Sequence, residues 1–395
     1  MFRKTRSRMM HPIRIFQLVA ILGCVSSCFY YLLCLWSAAS FLRKRSASGD
    51  ARATLPPVSI LKPLKGIDPE IYASFRSHCL QDYPEYELIF GVSEADDPAV
   101  ASVEQLQREF PDRAIRLIIC EEKLGPNVKV SNLEQMLPRA RYEYLLINDS
   151  DIRVEPDYLR RVMAPLADNK TGMVTCLYRG VASPTLGSRL EALGISTDFC
   201  AGVLAAKQLE GGIRFGLGST LAFRRRDLEG IGGFRAIVDY LADDYELGRR
   251  IADLGLKVKL SDVVVETHLP AYGLPGFLSH QLRWARGVRD ARLGGYIGLI
   301  TTFGLMWGVL ALIATPTSQW SLLAFGITVA LRLAVAIVVG RSVVRDPHVT
   351  SNLWLLPLRD LIGVGVWIAS FFGHTVTWRG YRFKLKAGRL SRIPR

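Results

Sequence analysis

The chain contains 395 residues, 22% of them charged, and carries a formal net charge of +14 with a mean hydropathy of +0.19. That hydropathy is high for a purely soluble protein, so the combination predicts a soluble domain joined to membrane segments. The basic residues cluster near apolar stretches, which indicates attraction to anionic membrane lipids. No compact module of basic and aromatic residues occurs, and nucleic acid is therefore not an expected partner.

Residues 1–45 are predicted to form a basic segment followed by a transmembrane anchor. Ile15–Leu42 contains no charged residue and is long enough to cross a bilayer with some tilt. Arg43-Lys44-Arg45 stands where a signal peptide would carry its small-residue cleavage site, so we expect the anchor to be retained. Residues 46–57 are polar, end in Pro56-Pro57 and are predicted to be a linker.

Residues 58–276 alternate short apolar runs with helical patterns. This alternation predicts right-handed βαβ units around a mostly parallel sheet, which is an α/β domain. The predicted strands are Val58–Leu61, Tyr86–Val92, Ile115–Cys120, Tyr144–Ile147, Met173–Tyr178, Leu217–Phe223 and Val258–Thr267. No GxGxxG motif follows the first strand, so a dinucleotide site is not expected.

The most informative polar turn follows the apolar run Tyr144–Ile147 and contains Asp149 and Asp151. Two carboxylates at this spacing can close on one hard cation, and Mg²⁺ or Mn²⁺ suits such oxygen ligands. Ligands of open α/β sheets also bind at the carboxyl ends of the strands. The alternative interpretation is an Asx-type turn with solvated aspartates.

Four further side chains are candidates for the same site. Asp97 follows the second predicted strand, Lys129 precedes a short helix, and Asp243 and Asp244 belong to an acidic cluster just before the helical pattern Glu246–Leu254. Each also has a simpler interpretation: an acidic turn, a surface lysine, and an acidic cluster favoured at a helix N-terminus by the macrodipole.

Residues 277–292 form a basic, amphipathic pattern that suits a helix at the membrane interface. An ordinary surface helix is the alternative, but an apolar region at 293–376 follows directly. It contains two predicted spans, Tyr296–Thr315 and Gln319–Gly340, and a third apolar stretch, Leu353–Val376.

The third stretch is interrupted by Arg359-Asp360, and such charges must pair, face other protein or lie near the interface. Residues 377–395 are strongly basic, which predicts a cytoplasmic tail. Three late crossings would place that tail on the opposite side from the predicted α/β domain. We therefore predict that Leu353–Val376 is re-entrant or interfacial.

The successive aspartates Asp97, Asp149/Asp151 and Asp244, followed by Arg283-Trp284, resemble the family 2-like inverting glycosyltransferases of GT-A fold. Those enzymes share this order of aspartates and a (Q/R)xxRW motif. Over about Pro57–Trp284 the chain is more similar still to the ceramide glucosyltransferase family, and within it to bacterial hopanoid-biosynthesis glycosyltransferases. The motifs that carry the resemblance include Ser59-Ile-Leu-Lys-Pro-Leu-Lys-Gly66, Asp96-Asp97-Pro98-Ala99, Asn148-Asp-Ser-Asp-Ile-Arg-Val154, Leu241-Ala-Asp-Asp-Tyr245 and His280-Gln-Leu-Arg-Trp284.

The resemblance implies a nucleotide-diphospho-sugar transferase (Rossmann-like) domain, with one N-terminal and two to three C-terminal membrane helices. It implies a UDP-sugar donor held by Asp97, Lys129, Asp149, Arg283 and Trp284, and a divalent cation held by Asp149 and Asp151. Asp244 matches the position of the general base. The roles of Asp243, His280 and Gln281 stay open, and His280 departs from the (Q/R)xxRW pattern by occupying its first position.

The favoured hypothesis is transfer of N-acetylglucosamine from UDP-GlcNAc to a hopanoid such as bacteriohopanetetrol. Glucosylation of ceramide from UDP-glucose is the alternative, and a non-enzymatic membrane scaffold with a degenerate GT-A domain is a further one. A lipid acceptor explains membrane segments beside the catalytic domain. Seven cysteines without a CxxC pair favour a reduced, cytosolic domain. We therefore predict a multi-pass protein of the bacterial inner membrane with its catalytic domain facing the cytoplasm; the oligomeric state is not predicted.

Overall fold

The computed structural model describes residues 12–47, 55–378 and 380–393. The start of the predicted basic N-terminal segment, most of the predicted linker and Arg379 lie outside the described residues. The strands are β1 Val58–Pro63, β2 Tyr86–Val92, β3 Ile115–Ile119, β4 Tyr144–Ile147, β5 Ile152–Arg153, β6 Thr171–Val181, β7 Leu221–Arg224, β8 Lys257–His268, β9 Thr375–Trp378, β10 Tyr381–Lys386 and β11 Arg389–Arg392.

The helices fall into a catalytic set and a membrane set. The first set is α2 Ile71–Cys79, α3 Ala99–Glu109, α4 Val128–Met136, α5 Tyr158–Met163, α6 Leu186–Gly194, α7 Cys200–Leu209, α8 Arg225–Gly230, α9 Asp243–Asp253 and α10 Leu274–Ala291. The second set is α1 Pro12–Ala47, α11 Leu293–Gly298, α12 Gly304–Ala314, α13 Gln319–Ile337, α14 Val349–Asn352 and α15 Leu356–Ser370. Short 3₁₀ and π turns join several of them.

The central sheet has eight strands in the order β3-β2-β1-β4-β7-β6-β8-β5. The strands β3, β2, β1 and β4 are parallel, as predicted, and β1 and β2 are buried along their whole length. Continuous apolar runs are typical of such strands because helices cover both faces of a parallel sheet. The second half is mixed, since β7 runs antiparallel to β4 and β6, and β5 runs antiparallel to β8.

The strand predicted at Leu217–Phe223 begins later, at Leu221. Residues 217–219 instead form a turn that is held by the buried side chain of Asn148, whose Nδ2 donates to the Ser219 carbonyl at 2.7 Å. The mixed half of the sheet therefore brings this turn beside the polar residues that follow β4.

Within the part of the chain that the structure describes, three helical segments are long and apolar enough to cross a membrane: Ile13–Arg45, Gln319–Val343 and Val349–Ser370. The N-terminal one packs against the C-terminal ones, and the backbone of Gly23 lies so close to the Trp307 ring that a Cβ there would meet it at 2.2 Å. The predicted anchor is thus part of a small helical bundle rather than an isolated tether.

The predicted span Tyr296–Thr315 is broken, because Leu293–Thr302 and Gly304–Ala314 are bent by 53° relative to each other. The bend leaves backbone carbonyls without their helical partners, and α1 supplies donors for them. Ser27 Oγ donates to the Thr301 carbonyl at 2.7 Å, and Tyr31 Oη donates to the Thr302 carbonyl at 3.0 Å. Such compensation is required wherever a helix breaks at membrane depth.

This bend suggests a different assignment of the re-entrant stretch. The stretch predicted to be re-entrant, Leu353–Val376, instead contributes to the candidate span Val349–Ser370, and the break lies in the first late segment. The C-terminal tail contacts the catalytic domain, since the Leu241 N–H donates to the Gly388 carbonyl at 3.0 Å. Two crossings, by α13 and α15, would return the tail to the side of the α/β domain, and we therefore predict that the bent pair re-enters the membrane without crossing it.

The tail itself is a small antiparallel sheet, β9 to β11, where the sequence analysis predicted only a basic tail. Phe383 and Leu385 are buried on one face of β10, while Arg382, Lys384 and Lys386 are exposed on the other. The buried face packs against Leu241, just before the start of α9.

Candidate active site

Two carboxylates from distant parts of the chain meet at Gly218. A Cβ added to Gly218 would lie 3.1 Å from Asp149 Oδ2 and 3.4 Å from Asp244 Oδ2. The N–H of Gly218 donates to Asp244 Oδ2 at 2.8 Å, and the N–H of Tyr245 donates to Asp244 Oδ1 at 2.8 Å. Because both oxygens accept backbone donors, the Asp244 carboxylate is held in one orientation beside Asp149.

Lys129 joins the two acidic sites. Its Nζ lies 2.8 Å from Asp149 Oδ1 and 3.2 Å from Asp243 Oδ2. Asn127 caps α4 by accepting from the Val130 N–H, and its amide donates to the Tyr240 carbonyl at 2.8 Å. The start of α4 is therefore tied to the segment before α9, which fixes Lys129 between the carboxylates.

Asp151 lies deeper than Asp149. Its Oδ2 accepts a hydrogen bond from the Thr267 hydroxyl at the end of β8. Lys62, which is fully buried behind this turn, donates to the Asp149 carbonyl at 3.0 Å. The turn is thus clamped by β1 on one side and β8 on the other, as expected of a site at the carboxyl edge of the sheet.

The clustered charges change the acidities of the site. Burial, and then the neighbouring charge of Asp149, raises the pKa of Asp151 to about 6. Burial, and then the charge of Asp243, raises the pKa of Asp244 to about 6. Burial opposes the charge of Lys129, but Asp149, Asp243 and Asp244 outweigh it and raise the pKa of Lys129. The cluster therefore carries more negative charge than one lysine balances, which favours a bound cation.

Asp97 lies apart from these groups. Both of its carboxylate oxygens accept from the Gly66 N–H at 3.0 Å, and Oδ1 also accepts from the Ala99 N–H at 2.9 Å. Within the described residues it is not part of the wall of the site cavity, although Leu64 and Lys65 of the loop that it holds are. The predicted contact of Asp97 with the nucleoside stays a prediction, since no ligand contact tests it.

The HxxRW segment lies on α10 and faces the same cavity, which His280, Gln281, Arg283 and Trp284 all line. Gln281 accepts from Arg359 Nη2 of α15 at 3.2 Å, so its carbonyl oxygen is engaged with the membrane part. The Trp284 ring lies 5.1 Å from that of His280 and 6.3 Å from that of Phe199. Four of the predicted residues thus converge on one wall of the site.

A cavity of about 1110 Å³ connects the carboxylates to the membrane helices. A series of neighbouring rings, which we call the aromatic strip, follows its wall and consists of Tyr178, Phe199, Trp284, His280 and Tyr272. Beyond the strip the wall includes Phe303 and Trp367 of the membrane part. The cavity wall thus changes from charged residues at one end to aromatic residues of the membrane part at the other, which fits a ligand with a polar head and an apolar tail.

Four charged residues lie at the membrane end of the cavity. Arg332 Nη2 lies 2.5 Å from Asp198 Oδ1 and 2.8 Å from Asp360 Oδ1. Arg359 Nη2 lies 3.6 Å from Asp198 Oδ2. This arrangement confirms that the Arg359-Asp360 interruption is paired within the protein.

A family model described as Glycosyl transferase family 21 matches residues 19–391. The chain belongs to this family. Ceramide glucosyltransferase 1 of Caenorhabditis elegans is 23% identical over 389 residues, which cover 94% of this chain and 81% of the relative. Ceramide glucosyltransferase 3 of the same organism is 24% identical over 397 residues, with 96% and 84% coverage.

The protein also resembles a solved glycosyltransferase structure. The mannosyltransferase PcManGT from Pyrobaculum calidifontis, solved in complex with GDP-Man and Mn²⁺, superimposes with a TM-score of 0.53 at 20% identity, covering 90% of this chain and 99% of that one. These comparisons confirm the predicted GT-A fold, the ceramide glucosyltransferase-like family and the enzyme class: the protein is a glycosyltransferase. Neither nematode relative supports the predicted hopanoid acceptor.

The residues present fit a divalent cation that shares its ligands with a substrate. Among the described residues, no group of three or more His, Cys, Asp or Glu side chains could enclose a metal ion. Mg²⁺ typically needs only one or two carboxylates, because substrate phosphates complete its coordination. Asp149 and Asp151 supply two, and the absent side chain of Gly218 leaves open space beside Asp149 Oδ2.

Several residues of the family 21 site were not found from the sequence. Gly218, Thr267 and Glu191 have no motif of their own, and each reaches the site through sheet order or helix packing. The sequence offered one indication of the turn that carries Gly218: Leu217-Gly218-Ser219 places small residues inside a predicted strand.

Proposed function

We propose that this glycosyltransferase moves a hexose from a nucleoside diphosphate donor to a hydroxyl group of a membrane lipid of the ceramide type. The observation that carries the proposal is the single cavity that has Asp149, Asp151 and Asp244 at one end and membrane helices at the other. A soluble acceptor would have no use for an apolar extension of the active site. A lipid acceptor would place its head near the carboxylates and its tail between the helices.

The donor would bind at the carboxylate end. Lys129 lies between the carboxylates and Arg283 lines the same cavity, and both offer N–H donors to a diphosphate. When bound by Asp149 and Asp151, Mg²⁺ or Mn²⁺ would act as a Lewis acid for the diphosphate leaving group. When the diphosphate binds, the Lys129 ammonium would exchange its contact with Asp149 for one with a phosphate oxygen and keep its contact with Asp243.

Asp244 would be the general base. Its carboxylate takes the proton of the acceptor hydroxyl as that oxygen forms a bond to C1 of the sugar. The bond between C1 and the diphosphate oxygen breaks in the same step, and its electron pair leaves with the diphosphate. Displacement from the opposite face inverts C1, so an α-linked donor gives a β-glycoside. The backbone donors from Gly218 and Tyr245 keep the carboxylate aimed during this transfer.

The choice of substrates rests on the relatives. Two nematode relatives are named as ceramide glucosyltransferases, and the chain aligns with more than four fifths of the length of each. UDP-glucose and ceramide are therefore the proposed donor and acceptor, in preference to the UDP-GlcNAc and hopanoid pair predicted from the sequence. We propose a cytoplasmic catalytic domain, because the basic C-terminal sheet lies on the same side. The bacterial inner membrane stays our prediction for its location.

The test is a matrix of two donors and two acceptors. The purified chain in lipid nanodiscs is supplied with Mg²⁺ or Mn²⁺, UDP-glucose or UDP-GlcNAc, and ceramide or bacteriohopanetetrol. We expect glycolipid from UDP-glucose and ceramide. Product with bacteriohopanetetrol and none with ceramide would show that the acceptor is a hopanoid and contradict the proposed acceptor. The absence of product from all combinations would contradict the proposed function.

A further inference from the structure

A buried carboxylate of α6 lies behind the first residue of the HxxRW segment. Glu191 is 1% exposed, and its Oε1 lies 2.9 Å from His280 Nδ1. Its Oε2 accepts a hydrogen bond from the Tyr272 hydroxyl. A carboxylate in such a place is costly unless it is paired, so this arrangement has to serve packing or function.

The pair orients the imidazole of His280. The atoms Nδ1 and Oε1 are both buried and close, but they are not aligned as a hydrogen bond, and a small rotation of the ring would align them. With Nδ1–H directed at Glu191, a neutral imidazole keeps its lone pair on Nε2. The partner of one ring nitrogen thus decides what the other nitrogen offers.

His280 lies on the wall of the cavity that the carboxylates also line. Its ring is 5.1 Å from that of Trp284, and the neighbouring Gln281 contacts Arg359 of the membrane part. The imidazole is 26% exposed, and the cavity is the space that it borders. Because His280 and Asp244 line the same cavity, a lipid head bound there can contact both side chains.

We propose that His280, positioned by Glu191 and Tyr272, binds the acceptor by accepting a hydrogen bond at Nε2 from a second donor group on the lipid head. This inference rests on the proposed function and deepens it, because Asp244 already receives the reacting hydroxyl. The acceptor class is therefore a lipid with two hydrogen-bond donors near each other, such as two hydroxyls or a hydroxyl and an amide N–H. A lipid with a single hydroxyl lacks the group that His280 recognises.

The experiment compares two acceptors that differ in this second donor. Ceramide carries an amide N–H and a further hydroxyl beside its primary hydroxyl, whereas a long-chain primary alcohol carries only the reacting group. In nanodiscs, we expect wild type to show a higher kcat/KM for ceramide. His280→Ala should lower the ratio of the two kcat/KM values by about tenfold, the effect of one lost hydrogen bond, through the KM for ceramide. Its KM for the UDP-sugar and its rate with the alcohol should stay near wild type.

Three further variants separate positioning from folding. His280→Gln keeps a hydrogen-bond acceptor and should restore part of the ratio. Glu191→Gln removes the orienting charge and should reduce the ratio as His280→Ala does, and Tyr272→Phe tests the same support without changing the charge. Leu278→Ala, at an exposed position of α10 that is not among the cavity-lining residues, is the matched control and should leave the ratio unchanged.

The outcomes distinguish this inference from the proposed function. If wild type glycosylates ceramide and His280→Ala retains the wild-type ratio, the inference is contradicted while the proposed function stands. A loss of rate by His280→Ala that is equal for both acceptors also contradicts it, since that result indicates a structural role. If wild type glycosylates neither acceptor, the proposed function itself fails.

Discussion

The backbone N–H of Gly218 donates to Oδ2 of Asp244 at 2.8 Å, and this contact joins the turn before β7 to the first turn of α9. The same glycine also leaves room for Asp149, whose Oδ2 would lie 3.1 Å from a Cβ there. One backbone position thus holds the proposed base and keeps space for the ligands of Asp149.

Gly218→Ala is expected to lower turnover while leaving the fold intact. The added methyl group would lie 3.1 Å from Asp149 Oδ2, so that carboxylate must move aside and the space beside it is filled, whereas the contact with Asp244 Oδ2 at 3.4 Å is an ordinary one. Gly212→Ala is the matched control, because a Cβ there meets nothing within 4 Å. Turnover and Tm are measured for both variants, and a Gly218→Ala variant with wild-type turnover would contradict the assigned role.

The acid limb of kcat should reflect the ionisation of Asp244. Its pKa is raised to about 6, so the base is ionised above that pH and turnover is lost as the pH falls through it. Asp243→Asn removes a charge that raises this pKa, and the limb should move to lower pH. Lys129→Met removes a charge that lowers it, and the limb should move to higher pH. Shifts in the same direction for both variants would be incompatible with this electrostatic account.

The C-terminal sheet is expected to support the active site. The Leu390 N–H donates to the Asp239 carbonyl at 2.7 Å, and Phe383 is buried beneath this contact region. Phe383→Ala removes a buried ring, a change that typically costs ~3–5 kcal/mol, and should loosen the segment before α9. We expect lower kcat and faster hydrogen exchange at 239–245, whereas Lys384→Ala on the exposed face of β10 should change neither. Unchanged exchange in Phe383→Ala would argue against the support.

Breaking the buried Arg332–Asp360 ion pair of the membrane part should lower stability strongly, whereas replacing both residues by apolar ones should lower it much less. Arg332→Met leaves Asp360 without its guanidinium, and removing one partner of a buried pair typically costs ~3–5 kcal/mol. The double variant Arg332→Met/Asp360→Leu should regain much of the lost stability. Thermal unfolding in nanodiscs measures both, and a double variant less stable than the single one would show that Asp360 has another essential partner.

The sequence predicted the part of the site that follows local chain order. Asp149 and Asp151 come directly after an apolar run, so a strand followed by an acidic turn could be read from neighbouring residues. The helix that begins at Asp243 and its acidic first turn were likewise local features. These predictions hold because the burial of a short apolar run and the ending of a strand depend little on distant contacts.

Other parts depend on contacts between distant segments. Glu191 and Asp198 lie on a helical stretch that the sequence analysis did not predict, and their partners His280 and Arg332 come from two other regions of the chain. The bend at Phe303 depends on hydroxyl donors from α1, nearly three hundred residues earlier. By contrast, the alternation Tyr381-Arg-Phe-Lys-Leu-Lys386 has the period of a strand, so β10 could have been predicted from it.

The most direct test of the account compares wild type with Asp244→Asn in the same nanodiscs, with labelled UDP-glucose and ceramide. Wild type should transfer the label to the lipid. The variant should bind the UDP-sugar with a similar Kd, while its turnover falls by about 10²–10⁴-fold, the usual contribution of a general base. A variant that retains full turnover would contradict the central claim that this carboxylate takes the proton of the acceptor.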